Sequence, residues 1–289
     1  MSIQYDLHSH SLASDGTLTP TMLVERAAES GVDVLALTDH DETGGIAEAR
    51  QAAEAAGIEL VPGVEVSVTW ARQTVHVVGL HIDPASSPLQ EGLARLREFR
   101  NWRAEEMGRR LARHGIQGAY EAAGQKAQGR IISRTHFARF LAEEGHAASV
   151  RDVFKHFLKP NKPGHVSGEW ATLEEALGWI HTAGGQAVIA HPARYNMTAS
   201  KRRKLIGEFV ELGGEGLEVV SGSHSRGDNF SMAQLARKFD LKASAGSDFH
   251  GPENPRVELG RLQPLPDGCT PIWTDWPTET GSPAVTATV

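Results

Sequence analysis

The sequence holds a single cysteine, Cys269, in 289 residues. That excludes an intramolecular disulfide and a cysteine-based zinc site, so any bound metal must be held by histidine and carboxylate. No apolar stretch is long enough to span a bilayer, and the N-terminus lacks the basic segment and apolar run of a secretory leader. A cytoplasmic enzyme is the expectation. Positive charge is in deficit too: 29 lysines and arginines against 36 acidic residues leave a formal net charge of −7. General electrostatic attraction to nucleic acid is disfavoured, although a local basic patch can still hold an anionic ligand. No internal repeat, DNA-binding domain or polymerase sequence is evident, and no protein partner is inferable. What remains, 40% hydrophobic and 22% charged, is the composition of a globular protein. The length suits one large α/β domain, or one domain with an insertion.

Histidine and acid are placed with a pattern. Ile3, Tyr5 and Leu7 alternate like a short strand, and His8 and His10 arrive where it should end. Side chains two apart on a strand share a face, so both can converge on one ion, with Asp15 reaching a neighbouring one across the turn. His-x-His alone reads first as a surface loop. However, similar groups recur at further strand ends: Thr38-Asp39-His40-Asp41, Gly63-Val64-Glu65, Val75-His76-Val77, Ala190-His191-Pro192 and Gly246-Ser247-Asp248-Phe249-His250.

Between these groups the chain alternates. Thr19-Pro20 starts a helix that ends at Gly31, and 32–38 is an apolar run of the kind buried on both faces of a parallel sheet. A helix over 45–56 stops at Gly57; strands follow over 58–68 and 74–82, with His76, Val78 and Leu80 on one face of the latter. Thr172 and Glu175 form a capping box opening a helix to Thr182. Then come a strand over 186–190, a helix over 201–212, a strand over 216–220, a helix over 230–239 and a last strand over 242–245. Seven strands with short links point to a parallel barrel or a doubly wound sheet. In a parallel β/α barrel the functional groups gather at the C-terminal strand ends, where nearly all of these candidates fall. His76, inside its strand, is the exception.

The rhythm breaks over 88–167. One long helix over 88–114 is followed by more helical sequence to Phe157 and the loop 159–165, expected as an insertion beside or over the barrel mouth. Residues 1–87 and 168–276 make the discontinuous barrel domain. Within the insertion, the stretch Gly129-Arg130 to Ser133-Arg134-Thr135-His136 either presents cations to the site or forms a solvated basic face. The tail, 277–289, is poor in core residues and is expected to be disordered.

The set His8, His10, Asp15, Asp39-His40, Glu65, His76, His191-Pro192, Asp248 and His250 resembles the polymerase-and-histidinol-phosphatase (PHP) family of metallophosphoesterases. The overall pattern is most like its stand-alone branch with a helical insertion, which includes 3′,5′-nucleoside bisphosphate phosphatases and 5′-to-3′ exoribonucleases. The resemblance implies a distorted seven-stranded β/α barrel holding three divalent ions. His8, His10, Glu65 and Asp248 would hold one; Glu65, His76 and His191 a second, with Glu65 bridging; Asp15, His40 and His250 the third. Manganese is ranked first, and iron or zinc also suit histidine and oxygen ligands without thiolate. A hydroxide bound by the ions at His8, His10, Glu65 and Asp248 would attack phosphorus.

Charge supports that chemistry. Three divalent ions against Asp15, Glu65 and Asp248 leave about +3, which favours an anion such as a phosphate dianion over a neutral amide or sugar. Arg194 and His224, near strand ends, are candidate phosphate contacts; Arg134 with Thr135 is a candidate clamp for a second phosphate or a ribose. Trp102 with Arg103 either stacks on a base or packs the long helix. Asp39 and Asp41 either orient His40 or make a turn. Histidines 81, 114, 136, 146, 156, 165 and 181 have no metal spacing and are expected to be structural or exposed. The expected activity is removal of the 3′-phosphate of nucleoside 3′,5′-bisphosphates, with short RNA trimmed from its 5′ end as a further substrate. The alternatives are histidinol-phosphate hydrolysis and, in another class, a non-catalytic metal-binding module associated with a polymerase.

Overall fold

The structure, a computed structural model, describes residues 3–128 and 131–276. Gly129-Arg130 and the tail 277–289, on which sequence expectations fall, lie outside the described residues.

Short apolar runs form β1 (Tyr5–Asp6), β2 (Val34–Leu37), β3 (Glu59–Trp70), β4 (Gln73–Leu80), β5 (Gln186–Ile189), β6 (Gly216–Ser221) and β7 (Lys242–Gly246), paired in that order in one sheet. The ends of the sheet approach each other: Leu7 N donates to Ala245 O at 2.9 Å and Ser9 bridges Phe249, giving a nearly closed, seven-stranded barrel. The helices are α1 (Pro20–Glu29), α2 (Ile46–Ala56), α3 (Ser87–Arg113), α4 (Ala119–Lys126), α5 (Arg134–Glu143), the single turn α6 (Val150–Val153), α7 (Leu173–Thr182), α8 (Ala199–Glu211) and α9 (Arg226–Lys238). Their starts follow local chemistry. Thr19 accepts from Met22 N at 3.1 Å ahead of Pro20, and Thr172 and Glu175 cap each other reciprocally. α9 begins four residues ahead of the sequence expectation because Ser225 and Asp228 form a further capping box.

The barrel is not wholly parallel. β3 and β4 form an antiparallel hairpin, Trp70 opposite Gln73, and β4 also runs antiparallel to β5. The link is the two residues Ala71 and Arg72, with φ of 45° and 66°. Two successive left-handed residues make the hairpin turn whose twist matches the strands. Neither residue type announces it, so the sequence reading allowed for no reversal there. The reversal also explains His76: near the start of an antiparallel strand, it lies at the end of the barrel where its parallel neighbours finish.

Strand alternation sorts the barrel side chains into two sets. Leu35, Leu37, Val64, Val66, Val75, Val77, Ala187, Ile189, Leu217 and Val219 pack with the helices in the main core. Leu7, Val34, Ala36, Val61, Val78, Leu80, Val188 and Ala190 form a separate cluster that fills the barrel interior. Glu65, His76 and Glu218 share the interior parity. A third cluster, including Met107, Leu111, Ala123, Phe137, Leu141, Val153 and Leu158, is the core of the inserted helices. α3 serves two of these cores: Leu89, Leu93 and Leu96 pack on the barrel, whereas Ala104, Met107 and Leu111 pack in the insertion.

Candidate metal centre and active-site cavity

Glu65 sits at the middle of the barrel mouth, fully buried on β3. Five imidazoles surround it. His76 Nδ1 and His191 Nε2 each lie 2.9 Å from Oε1. His40 Nδ1 lies 2.8 Å from Oε2, with His8 Nε2 and His10 Nε2 both at 3.3 Å. Asp248 Oδ1 stands 3.3 Å from His10 Nε2 and 3.6 Å from His8 Nε2. Asp15 Oδ1 is 3.3 Å from His250 Nε2 and 3.9 Å from His40 Nε2. All nine sequence candidates thus meet at one rim.

Their ligand atoms fall into three groups, each within 4.8 Å: His10, Asp15, His40 and His250; His8, Glu65, His191 and Asp248; and His40, Glu65 and His76. This grouping seats His10 beside the Asp15 set and His191 beside the Asp248 set, where the resemblance places His10 with His8, Glu65 and Asp248, and His191 with Glu65 and His76. Glu65 joins two of the three groups.

The residues fit metal ions. Buried polar atoms normally find hydrogen-bond partners, yet His10 Nδ1, Asp15 Oδ1, His40 Nδ1, Glu65 Oε2, His76 Nδ1, His191 Nδ1 and Asp248 Oδ1 have none. Such a concentration of unsatisfied acceptors and imidazoles is chemically suited to cations. Electrostatics agree. Burial alone would raise the Glu65 carboxyl, but His40, His76 and His8 outweigh it and hold the group well below the usual carboxylate range. For Asp15 burial is outweighed by His250 and His40, and for Asp248 by Arg194 and His8. Burial, with His250 beside it, lowers His10 to about 3. In contrast, Asp15 raises His250 to about 9 against its burial.

Backbone strain accompanies these ligands. His191 and Asp248 have φ of 30° and 57°, conformations that cost roughly 1–3 kcal/mol in non-glycine residues. Asp248 N donates to His8 O at 2.8 Å, and His191 N donates to Glu218 Oε2. The Oε2 of Glu218 also lies 3.3 Å from His8 Nδ1, so one buried carboxylate fixes two candidate ligands. Glu218 escaped the sequence reading. Its signal was a charged residue at the centre of an otherwise apolar strand. Asp39 accepts from Ser11 N, Ser11 Oγ and Ser14 Oγ at 2.8, 2.6 and 2.6 Å, pinning the loop between His10 and Asp15.

Above the rim lies a cavity of about 450 Å³ whose far wall comes from the insertion. Arg103, Arg134, Thr135 and Arg194 line it, as do Arg100, Lys159, Trp170 and Tyr195, which sequence reasoning did not select. Arg100 Nε donates to Asp41 Oδ2 at 2.6 Å, so Asp41 serves an arginine of the insertion. Arg103 is 7% exposed, its guanidinium 4.5 Å from the Trp170 ring centre, and its Nε has no partner. Burial, with Arg134 and Arg100 nearby, pulls its pKa well below the usual arginine range. Thr135 Oγ1 and Ser133 Oγ donate to Asp15 Oδ2 at 2.8 and 3.1 Å. The Thr135 hydroxyl is therefore engaged by a candidate ligand.

Two expected substrate contacts are corrected. His224 does not line the cavity: its Nδ1 lies 3.2 Å from Val219 O, and its Nε2 accepts from Ala193 N at 3.3 Å. It is a satisfied loop histidine holding the turn that carries Arg194. Trp102 is 48% exposed and stacks on Phe99 at 5.5 Å, outside the cavity. The aromatic wall is Trp170. His136, expected to be structural, is buried and accepts from Ser133 N at 3.0 Å.

A family model described as the PHP domain matches residues 6–215. The chain belongs to the PHP domain family. This PHP domain is 51% identical to a 3′,5′-nucleoside bisphosphate phosphatase of Chromobacterium violaceum over 93% of its own length and 94% of that protein. It is 46% identical to the 5′-3′ exoribonuclease Rnm of Escherichia coli, covering 95% and 94% of the two chains. Among solved structures it resembles a Chromobacterium violaceum protein described as an amidohydrolase with bound sulfate and no metal. That match has TM-score 0.91, 50% identity, and coverage of 93% and 94%. A further neighbour is a putative metal-dependent phosphoesterase of Bifidobacterium adolescentis, with TM-score 0.79, 26% identity and 94% of both chains covered. The chain is a hydrolase of phosphoester bonds, which sets aside the non-catalytic alternative. Among the described residues no helix is long and apolar enough to cross a membrane.

Proposed function

We propose that this PHP domain removes the 3′-phosphate of nucleoside 3′,5′-bisphosphates in the cytoplasm, and trims short RNA from its 5′ end by the same bond cleavage. The observation that carries the reading is the cavity's two poles, one for cations and one for a second phosphate. At the first, nine candidate ligands meet at one rim with Glu65 shared between two sets: the resemblance groups it with His8, His10 and Asp248 and again with His76 and His191, leaving Asp15, His40 and His250 as a third, while the distances draw His10 toward Asp15 and His191 toward Asp248. The donor set suits three divalent ions, manganese first. When bound, such ions polarise phosphoryl oxygens, acidify water and steady a leaving oxygen. At the second pole, the buried Arg103 has an unpartnered Nε beside Arg134 in the cavity wall. A buried guanidinium without a carboxylate is costly unless an anion joins it.

The residues then divide the work. Arg134 and Arg103 hold the 5′-phosphate with charge-assisted hydrogen bonds. Arg194, paired with Asp248 but with its side chain 49% exposed, is placed to donate to the reacting phosphate. Thr135 and Ser133 orient Asp15, and Glu218 orients His8. A monophosphate ester of a small amino alcohol, such as histidinol phosphate, offers nothing to the second pole. The relatives' names agree with the first reading, the Chromobacterium violaceum protein being a bisphosphate phosphatase and the Escherichia coli protein an exoribonuclease.

The test is phosphate release from adenosine 3′,5′-bisphosphate, histidinol phosphate and an aryl phosphate, with elemental analysis of the same sample. The expected ranking places the bisphosphate first by kcat/KM. Histidinol phosphate first would overturn the assignment.

A further inference from the structure

The residues that line the cavity are unevenly buried. On the insertion side, Arg103 and Trp170 are 7% and 8% exposed, and Ser133 is buried. More exposed is Arg194, its side chain 49% accessible, in the short turn Pro192–Arg194. Four residues after that turn the chain enters α8, whose first turns carry four consecutive cations, Lys201, Arg202, Arg203 and Lys204. Arg202 Nε donates to Pro192 O at 3.2 Å, which ties this run to the turn bearing Arg194. The run and the cavity are therefore continuous along one rim.

Local structure does not use up the run's charge. Lys204 meets Glu208 at 3.6 Å, and Arg202 lies in the field of Asp228. Arg203 finds only the hydroxyl of Ser200, at 3.3 Å, and Lys201 has no carboxylate partner among the described residues. Both are exposed. The first turn of α8 holds no acidic residue, although cations there oppose the helix dipole. Helix stability thus does not explain four positive charges here, in a chain whose net charge is −7.

We infer that Lys201 and Arg203, continuing from Arg194, form a phosphate-binding track for the 3′ continuation of a single-stranded oligoribonucleotide. The inference rests on the activity proposed above. With the 5′-terminal phosphate at Arg103 and Arg134 and the next phosphorus at the ligand cluster beside Arg194, the remaining chain leaves past Arg194 toward the cations of α8. One bond change serves both substrates. Water adds its oxygen to phosphorus, the P–O3′ bond breaks and the proton passes to O3′. A bisphosphate then yields inorganic phosphate and a nucleoside 5′-phosphate. An oligonucleotide yields the same nucleoside 5′-phosphate and a shortened chain with a new 5′-phosphate, ready for another cycle. Only the oligonucleotide has further phosphates to lay on α8.

The experiment compares wild type, Lys201→Glu/Arg203→Glu and Lys201→Gln/Arg203→Gln on adenosine 3′,5′-bisphosphate and on 5′-phosphorylated RNA of two and ten nucleotides. Charge reversal is expected to raise KM for the decamer about tenfold, with the dinucleotide less affected and the bisphosphate unchanged within about twofold. The plot of log kcat/KM against log salt for the decamer should become shallower by about 0.7 for each phosphate that the variant no longer neutralises. The glutamine pair should show the same order with smaller effects. Equal losses on decamer and bisphosphate, or no change on either, would overturn the track. Turnover of the bisphosphate without any RNA cleavage would remove the track and leave the phosphatase reading standing. Failure on every substrate would remove both.

Discussion

The two walls of the cavity are made of opposite chemistry. The barrel wall gathers imidazoles and carboxylates on strand ends, each held by a strand pair or by a buried partner such as Glu218 or Asp39. The insertion wall gathers guanidinium groups on α3 and the start of α5, stacked on Trp170 and Phe154. One wall has unpaired acceptors and the other an unpaired donor. The barrel wall suits the shared chemistry of a phosphoesterase, whereas the insertion wall suits the choice of ester. Asp15 joins them, with Oδ1 facing the imidazoles and Oδ2 accepting from Ser133 and Thr135.

Substitutions on each wall should therefore fail differently. Glu65→Gln removes a carboxylate shared between ligand groups. It should lower kcat/KM on every substrate by about 10³-fold, equivalent to several kcal/mol, with loss of bound metal in elemental analysis. Full metal content with unchanged turnover would show that Glu65 does not bridge. Glu218→Gln leaves the ligands in place but weakens the hold on His8 and His191. Metal affinity by titration should drop about 10–100-fold, and an unchanged titration would leave Glu218 with a packing role alone. On the other wall, Arg134→Ala should raise KM for the bisphosphate about 10–100-fold while leaving the aryl phosphate unchanged. Equal effects on both esters would remove Arg134 from the second pole. Trp102→Ala should be the mildest, within about 0.5 kcal/mol in stability and without kinetic effect. A raised KM in that variant would restore base stacking at the outer face of α3.

The same division governs what could be read in the sequence. Ligands on strands were legible because the period of two fixes a side chain's face and a barrel gathers its strand ends in one place. His191 and Asp248 needed no knowledge of their strained backbone to be found. The hairpin between β3 and β4 was hidden because Ala71 and Arg72 lack the residue types that usually mark a left-handed turn. The insertion wall was harder. Helical periodicity places Arg100 and Arg103 near one face, but which face meets the barrel depends on tertiary packing, so periodicity leaves Trp102 open between a base and the helix and gives no sign of Trp170, distant in sequence, on which both guanidinium groups lie. His224 failed for a similar reason. It sits in the expected loop, but the Val219 carbonyl of β6 and the Ala193 amide of the neighbouring turn occupy its two nitrogens.

The 27-residue helix α3 has one further consequence. At about 1.5 Å per residue it is roughly 40 Å long, and its two halves are embedded in different hydrophobic clusters. Excising residues 88–167 would strip Leu89, Leu93 and Leu96 from the barrel and leave an apolar trough open to water. A transplant of the inserted helices between relatives has to carry this helix whole. Because the inserted helices share this rod with the barrel, and are not hung on a flexible linker, the two hydrophobic clusters are held in one fixed relation.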